Sequence, residues 1–533
     1  MPSNKRYPAI ATAMAVLLCI LPSHRVWSQT RAIDPQTLTR IGTVDERFQS
    51  YNIEMVEVIG GKFWKPYSQD VDALLKAQAA ARDSGTGPVG MDPNLYQQRS
   101  PIDLGNSRLR KLALGLQPAY VRVSGTWANT TYFQDSDAPS PATAPAGFSG
   151  LLTRPEWKGV VDFSKAVDAP IVTSVATGQG TRDANGVWTP SQARSLFAYT
   201  KSLGGKLAAT EFMNEPTFAA MGGAPKGYDA ATYASDLAVF EPFLRKISPS
   251  TILLGPGSVG EGGALSSAPI PGMLKSEHLL KAAGDIDDAF SYHFYGAVSM
   301  RCAALGAASQ TSADVALSHK WLEQTNQVEA YYAGLRDKYA PGKPMWLTET
   351  ADAACGGNPW GSTFTDSFRY LHQLGSLAKR GVKVVMHNTL AASDYGLIDE
   401  KTLAPRPNYW AAHLWSKFMG TGVLEAQPSP VENLYVYGQC LRNHPGSVAL
   451  LILNTDGSTT QKLFIPLRAE RFTLSAASLA DKTVLLNGKP LSLNSKGDLP
   501  TLVAISEGKG LVSFAPQTIT FLSFPEAHNT ACK

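Results

Sequence analysis

Two glutamates occupy unusual settings in this 533-residue chain. Glu215 follows the apolar start of EFMNEPTF (211–218), and Glu349 lies inside a second apolar run, WLTET (346–350), 134 residues later. A carboxylate at the end of a hydrophobic strand is costly unless a partner or a reaction needs it. Glycosidic bond hydrolysis needs two such groups, one to protonate the leaving oxygen and one to attack the sugar or activate water.

The elements that must position these glutamates form a regular pattern. Between residue 50 and about residue 420, short apolar runs alternate with amphipathic, helix-like stretches; the runs are 50–58, 119–125, 169–178, 207–216, 250–258, 289–296, 344–351 and 382–390. Eight strand–helix units predict an α/β fold, a (β/α)8 TIM barrel. Active-site residues of such barrels project from the C-terminal strand ends. We therefore expect Glu215 and Glu349 to face each other, roughly 5 Å apart. The alternative is that they are unrelated strand-end acids.

Glu211 precedes Glu215 by four residues. Because side chains alternate along an extended strand, both should point into the barrel, with Glu211 about 13 Å deeper. We interpret Glu211 as a buried, hydrogen-bonded structural acid.

The pattern predicts four segments. Residues 1–28 resemble a signal peptide, because Lys5 and Arg6 precede an apolar run (9–21) that is short for a membrane span; a retained membrane anchor is the alternative. Residues 29–47 are expected to add a strand to a C-terminal β-sandwich. The barrel is predicted over 48–420 and the antiparallel β-sandwich over 421–533, where short alternating strands are broken by Gly, Asn and Pro.

Charge and cysteine content constrain the environment. Removing residues 1–28 deletes three basic residues and no acidic one, which lowers the formal net charge from +4 to +1. Overall charge therefore gives no argument for a polyanion partner, and any attraction must be local. Export would leave four cysteines, Cys302, Cys355, Cys440 and Cys532, which favours two disulfides with three possible pairings. No metal-binding motif occurs, so no metal or organic cofactor is expected.

Several longer motifs carry a family resemblance. They are LRKLALGLQPAYVRVSGT, EFMNEPTF, SYHFYG, WLTETADAACGG, KRGVKVVMHNTLAASDYGLID and PRPNYWAAHLW. Together they resemble heparanase and its relatives, the β-glucuronidases of glycoside hydrolase family 79, within a clan of retaining (β/α)8 glycosidases. The resemblance extends from about residue 48 to the C-terminus.

The resemblance implies roles for individual residues. Glu215 is implied to be the general acid/base and Glu349 the nucleophile, with Asn214 binding the sugar 2-hydroxyl and Tyr295 orienting the nucleophile. Other implied contacts are Gly356, Gly357 and Tyr395 for the uronate carboxylate and Glu54 for the 4-hydroxyl side of the sugar. Arg122 either keeps the nucleophile ionised or is structural. Trp360 either stacks on a sugar or packs internally. Arg182 and Arg301 are candidate sulfate contacts because of their positions in the predicted barrel, not because of the resemblance.

These observations lead to one function with two alternatives. We expect a secreted or periplasmic, monomeric, retaining endo-β-glucuronidase that cleaves heparan sulfate or a related acidic polysaccharide, with no nucleic-acid partner and no membrane attachment after signal removal. An exo-β-glucuronidase acting on oligosaccharides or small glucuronides is the first alternative. A non-catalytic carbohydrate-binding protein is the second, and it is disfavoured because binding has no use for an ionisable pair.

Overall fold

The computed structural model describes residue 1 and residues 32–83, 93–263, 272–305, 310–426 and 432–533. Apart from residue 1, the predicted signal peptide (residues 1–28) lies outside the described residues. Among the described helices, none has the length and apolar character needed to cross a membrane.

Eight parallel strands close into a barrel, which confirms the predicted fold class. They are β1 (Gln49–Glu54), β2 (Val121–Ser124), β3 (Ile171–Ser174), β4 (Leu207–Glu211), β5 (Ile252–Ser258), β6 (Ala289–Val298), β7 (Met345–Ala354) and β8 (Val384–His387). Each strand pairs with the next, and β8 pairs with β1 to complete the ring.

Helices surround the barrel and join its strands. The described α-helices are Met55–Ile59, Gln69–Asp83, Ser107–Leu114, Arg154–Ala166, Ser191–Ser202, Ala230–Ile247, Ser276–Ala283, His319–Leu322, Gln324–Tyr339, Phe364–Lys379 and Pro407–Phe418. Their formation follows local chemistry, as the helix Arg154–Ala166 illustrates. Thr153 and Glu156 cap its N-terminus reciprocally, and Trp157 and Val161 bury its apolar face against the barrel.

The barrel interior is filled with side chains at its base. A buried cluster there consists of Val172, Ala209, Leu254, Ala289, Trp346, Val384 and Met386. Such layers make the interior of a TIM barrel a packed core. Above this cluster, toward the C-terminal strand ends, the inward-facing side chains are polar and form the site described below.

The C-terminal part forms antiparallel sheets. Its nine-stranded sheet includes the N-terminal strand Arg40–Thr43, which pairs with Met419–Leu424. The other strands of this sheet are Leu434–Leu441, Val448–Asn454, Ala469–Ser475, Leu485–Leu486, Lys489–Pro490, Ile505–Glu507 and Thr518–Phe524. Gln461–Ile465 and Gly510–Phe514 form a separate two-stranded sheet, and a second hydrophobic cluster, which includes Leu463, Val512 and Leu522, lies between the two sheets.

Two disulfides select one of the three possible pairings. Cys302–Cys355 joins the segments that follow β6 and β7. Cys440–Cys532 ties the C-terminal end to the strand Leu434–Leu441.

Candidate active site

A β-bulge in β7 sets the direction of Glu349. Tyr292 pairs with Leu347, but His293 pairs with Glu349, so Thr348 is an extra residue in the strand. Bulges commonly re-aim a side chain beside an active site. As a result, both Thr348 and Glu349 face inward: Thr348 donates a hydrogen bond to Glu211 (2.7 Å), and Glu349 lines the cavity.

A sharp change of direction positions Glu215. The predicted strand over 207–216 is too long, because β4 ends at Glu211. Phe212 and Met213 then turn into the hydrophobic layer outside the barrel, and Glu215 adopts a left-handed conformation with a φ of 50°. This conformation is strained for a residue with a side chain.

The amide of Asn129 holds this strained turn. Its Oδ1 accepts a hydrogen bond from the N–H of Asn214, and its Nδ2 donates to the carbonyl of Asn214, both at 3.0 Å. Asn129 is fully buried. The role of Asn129 is not predictable from the sequence, because nothing in its local pattern links it to a segment 85 residues away.

The two glutamates meet across the cavity. One carboxylate oxygen of Glu215 and one of Glu349 lie within 4.8 Å of each other. This separation is close to the roughly 5 Å of retaining glycosidases and shorter than the 6.5–9.5 Å of inverting ones.

Arg122 on β2 connects the carboxylates beneath the cavity. Its guanidinium donates to Glu211 (2.8 Å), to Glu349 (3.0 Å) and to Oδ1 of Asn214 (2.8 Å). Burial alone would raise the pKa of Glu211, but the charge of Arg122 and the bonds from His293 and Thr348 hold that pKa below its ordinary value. Glu211 is thus a buried, hydrogen-bonded acid. The expected depth of about 13 Å is wrong, because the strand does not continue to Glu215 and a single guanidinium contacts both Glu211 and Glu349.

Two donors fix the carboxylate of Glu349. The hydroxyl of Tyr295 donates to Oε1 at 2.6 Å, and Arg122 donates to Oε2 at 3.0 Å. Hydrogen bonds and a positive charge both favour the ionised form of a carboxylate. This arrangement suits a group that must attack as an anion.

His293 lies beside Glu215 and was missed from the sequence. Its Nδ1 is 3.0 Å from Oε1 of Glu215, and its Nε2 is 3.3 Å from Nη2 of Arg122. Burial by itself would lower the pKa of His293, but the carboxylates of Glu349, Glu211 and Glu215 raise it to about 9. Its spacing could have indicated this position, because residues two apart on a strand share a face and Tyr295, two residues later, is itself a predicted site residue.

The environment of Glu215 differs from that of Glu349. Burial, together with the negative charge of Glu349, raises the pKa of Glu215, while the hydrogen bond from His293 opposes the rise. A raised pKa keeps a carboxyl group protonated and able to donate.

Glu54 and Tyr395 lie on another wall of the cavity, linked by Asn388. The Nδ2 of Asn388 is 2.9 Å from Oε1 of Glu54, 3.0 Å from the Tyr295 hydroxyl and 3.3 Å from the Tyr395 hydroxyl. Burial, and then the charge of Glu349, raises the pKa of Glu54 well above its ordinary value. Asn388 is also absent from the predicted site residues. Its position, as a polar residue directly after β8, could have indicated that it lies at the mouth of the barrel.

Gly356 and Gly357 form a tight turn at the edge of the site. Both have positive φ values of 83°, and a Cβ on Gly356 would lie 2.8 Å from the Cβ of Trp64. Their carbonyls accept hydrogen bonds from Ser393 (2.9 Å) and Arg301 (3.0 Å) respectively. Within the described residues, neither N–H donates a hydrogen bond. The flanking Cys355 and Tyr395 line the cavity.

The cavity has a volume of about 430 Å³, which lies within the range for small-molecule sites. Its polar lining consists mainly of Glu54, Asn214, Glu215, Tyr295, Glu349, Asn388 and Tyr395. Its largest apolar side chains are Phe63, Trp64, Tyr96, Trp127, Phe218 and Met221.

Three further candidate residues are each engaged in internal contacts. Trp360 is 7% exposed and packs edge-on against Trp321, so internal packing is the correct alternative. Arg182 is paired with Asp236, and Arg301 is paired with Asp394. Neither arginine is available for a sulfate, because each neutralises an internal carboxylate.

The described residues contain one group of side chains with metal-ligand character. Ligand atoms of Glu215, His293 and Glu349 all lie within 4.8 Å of one another. Arg122 already supplies a positive charge to Glu349 and lies against His293. This charge opposes binding of a cation at the same position.

Comparisons with known proteins agree with this geometry. The family described as Glycosyl hydrolase family 79, N-terminal domain, matches residues 99–375. Heparanase-like protein 1 of Arabidopsis thaliana is 25% identical over 490 residues, covering 82% of this chain and 87% of that protein. Hyaluronoglucuronidase of Hirudo nipponia is 28% identical over 497 residues, covering 84% and 95%.

Solved structures share the fold. A 4-O-alpha-L-rhamnosyl-beta-D-glucuronidase from Fusarium oxysporum superposes with a TM-score of 0.58 at 13% identity, covering 93% of this chain and 99% of that chain.

The family match covers more than half of the sequence, and the relatives extend it over most of the rest. The chain therefore belongs to glycosyl hydrolase family 79 and is a glycoside hydrolase.

Proposed function

We propose that this protein is a retaining β-glucuronidase that acts by double displacement. The observation that carries the proposal is the carboxylate pair: oxygens of Glu215 and Glu349 lie within 4.8 Å of each other in a closed-barrel mouth. That spacing leaves no room for a water molecule between the sugar and the second carboxylate, so direct attack is favoured.

Glu349 acts as the nucleophile and Glu215 as the acid/base. In the first step an oxygen of Glu349 forms a bond to the anomeric carbon, and Glu215 donates its proton to the departing oxygen. In the second step water attacks that carbon, Glu215 accepts the water proton, and Glu349 leaves. The donors Arg122 and Tyr295 on Glu349, and the raised pKa of Glu215, support this division of roles.

The remaining polar residues hold the glucuronate. Arg122 occupies Oδ1 of Asn214, which leaves the Nδ2 of Asn214 as the donor for the sugar 2-hydroxyl. Tyr395 and the N–H groups of Gly356 and Gly357 bind the uronate carboxylate, and Glu54 binds the 4-hydroxyl side. The Tyr395 hydroxyl and the Glu54 carboxyl share one partner, Asn388, which supports their acting on the same ring.

The polymer acted on is the second part of the proposal. Relatives of this chain are named heparanase and hyaluronoglucuronidase, which supports a polysaccharide containing glucuronate. Endo cleavage of heparan sulfate remains the prediction from sequence, and exo cleavage of short glucuronides is the alternative. Products from a heparan sulfate digest separate the two, because mid-chain fragments indicate endo action and single glucuronates indicate exo action.

The last part of the proposal is the compartment in which the enzyme is located. Two disulfides, each joining separate segments, favour a compartment in which thiols are oxidised. We therefore place the enzyme outside the cell or in the periplasm. Its action as a monomer, without a metal or organic cofactor, stays a prediction from the sequence.

The test uses 4-nitrophenyl β-D-glucuronide and NMR detection of the first product. We expect β-glucuronate as that product, and at least a 10⁴-fold loss of turnover in Glu349→Gln, as is usual on removing a covalent nucleophile. Glu215→Gln should retain more activity on this substrate than on a polysaccharide, since a good leaving group needs less proton assistance. An α-product from the wild type would show inversion and overturn the mechanism.

A further inference from the structure

We propose that the leaving group of this enzyme is an uncharged ring with an apolar face, and that the site discriminates against sulfated leaving groups. The ring is either an aromatic aglycone or an unsulfated sugar. The inference rests on the proposed function, and it concerns the side of the cavity next to Glu215.

The role of Glu215 locates the leaving group. The acid donates its proton to the departing oxygen, so the departing group must lie beside Glu215. The same loop continues to Phe218, Met221 and Gly222, all of which line the cavity with Glu215. Val259 lines it too, and its backbone exchanges two hydrogen bonds with the hydroxyl of Thr217, at 3.0 and 3.1 Å. The segment that carries the acid therefore also forms the leaving-group wall.

This wall is apolar and open to an incoming ring. Met221 lines the cavity and is 64% exposed, so its side chain is accessible to a bound ring. Phe218 is partly buried and packs in the hydrophobic cluster around the cavity, which also includes Trp127. Flat apolar surfaces of this kind bind aromatic rings and the C–H faces of sugars.

The charges of the cavity have one sign. Its described lining contains three carboxyl groups, those of Glu54, Glu215 and Glu349, and no basic side chain. The nearby arginines are already paired: Arg122 with Glu211 and Glu349, and Arg301 with Asp394. Sulfate recognition normally uses unpaired Arg or Lys donors. A sulfate on the leaving group would therefore lie in a cavity whose described lining offers carboxyl groups and no cation to balance the added charge.

Two matched substrate pairs test the inference. One pair is oligosaccharides of heparosan, the unsulfated parent chain, against sulfated heparan sulfate of equal length. The other is 2-naphthyl β-D-glucuronide against its 6-sulfonate, whose charge is remote from the bond that breaks. We expect kcat/KM to be at least about tenfold higher for the member without the sulfate or sulfonate, in each pair that is cleaved, by the usual cost of an unpaired charge. Cleavage of the aryl pair alone identifies an aromatic aglycone as the source, and cleavage of heparosan identifies an unsulfated sugar.

A charge introduced at Met221 gives a second, independent readout. Met221→Lys should reduce the kcat/KM preference for the member without the sulfate or sulfonate at least about threefold, because it adds a cation to the leaving-group wall. Leu511→Lys is the matched control: this residue of the β-sandwich is 55% exposed, and the same charge there should leave the ratio unchanged.

Equal or faster cleavage of the sulfated members by the wild type would overturn the inference while leaving the glucuronidase assignment standing. Identical ratios of kcat/KM for the unsulfated and sulfated members in Met221→Lys and Leu511→Lys would also overturn the inference. Failure to cleave any glucuronide would instead overturn the proposed function itself.

Discussion

At the residue scale, the two glutamates have different surroundings. Arg122 donates directly to Glu349 and Glu211, whereas the side-chain partner of Glu215 is the imidazole of His293, and burial together with the charge of Glu349 raises the pKa of Glu215. Burial and a neighbouring negative charge favour protonation, while a guanidinium partner favours ionisation. The raised pKa of Glu215 therefore suits an acid that lies within 4.8 Å of a carboxylate held by two donors.

Replacing His293 should alter the pH dependence of catalysis. The hydrogen bond and charge of His293 lower the pKa of Glu215 against the effect of burial. In His293→Gln that pKa should rise further, so the alkaline limb of the kcat/KM profile should move to higher pH. We also expect kcat to fall roughly 10- to 100-fold as Glu215 loses its fixed position. An alkaline limb that stays in place or moves to lower pH, in a variant with wild-type thermal stability, would contradict this role.

Asn129 offers a separate test of the strained turn. Its amide forms two hydrogen bonds to the backbone of Asn214, immediately before the left-handed Glu215. Asn129→Asp keeps the acceptor but replaces the donor with a buried carboxylate oxygen, which faces the carbonyl of Asn214 and repels it. We expect a loss of at least about 3 kcal/mol in unfolding free energy, measured by denaturant titration, together with a drop in kcat. Unchanged kcat would show that the turn does not need this clamp.

At the element scale, the sequence predicted the barrel but not the details that aim the side chains. The eight apolar runs were sufficient because a buried parallel strand requires continuous apolar residues. The early end of β4 at Glu211 and the bulge at Thr348 were not predictable, because both break the alternation on which strand reasoning depends. His293, Asn129 and Asn388 were missed for a related reason: their roles arise from contacts between strands and loops distant in sequence.

The disulfide Cys302–Cys355 should matter for both stability and substrate binding. It joins the segments after β6 and β7, and both cysteines line the cavity beside Gly356. The double variant Cys302→Ser, Cys355→Ser should lose roughly 2–5 kcal/mol of unfolding free energy, and its KM should rise. Cys440→Ser with Cys532→Ser provides the control, since that bond lies in the β-sandwich. It should lower stability with KM unchanged; an equal rise in KM for both would contradict a local role.

At the scale of the whole molecule, barrel and sandwich share one hydrophobic core. The main buried cluster contains barrel residues such as Leu371 together with Tyr437, Phe472 and Phe521 of the sandwich. The hydroxyl of Tyr437 also lies 2.8 Å from Nδ1 of His372 on the helix Phe364–Lys379. The two parts should therefore unfold together rather than as independent domains.

A pair of glycine substitutions tests this shared core. A Cβ on Gly375 would come within 2.3 Å of the Tyr437 ring, so Gly375→Ala should lower the unfolding free energy by about 1–3 kcal/mol. Gly334, in the helix Gln324–Tyr339, has open space around it, and Gly334→Ala should raise stability by up to about 1 kcal/mol. Calorimetry should show one transition in both variants. Two separated transitions, or a neutral Gly375→Ala, would contradict a shared core.

Covalent trapping tests the central claim most directly. A 2-deoxy-2-fluoro-β-glucuronyl fluoride slows breakdown of a glycosyl-enzyme more than its formation, so a retaining enzyme accumulates it. After proteolysis, mass spectrometry should find one added sugar on the peptide that contains Glu349, and none in Glu349→Gln. A label on Glu54 or Glu215, or continued turnover with the protein unlabelled, would contradict the assignment of Glu349 as the nucleophile.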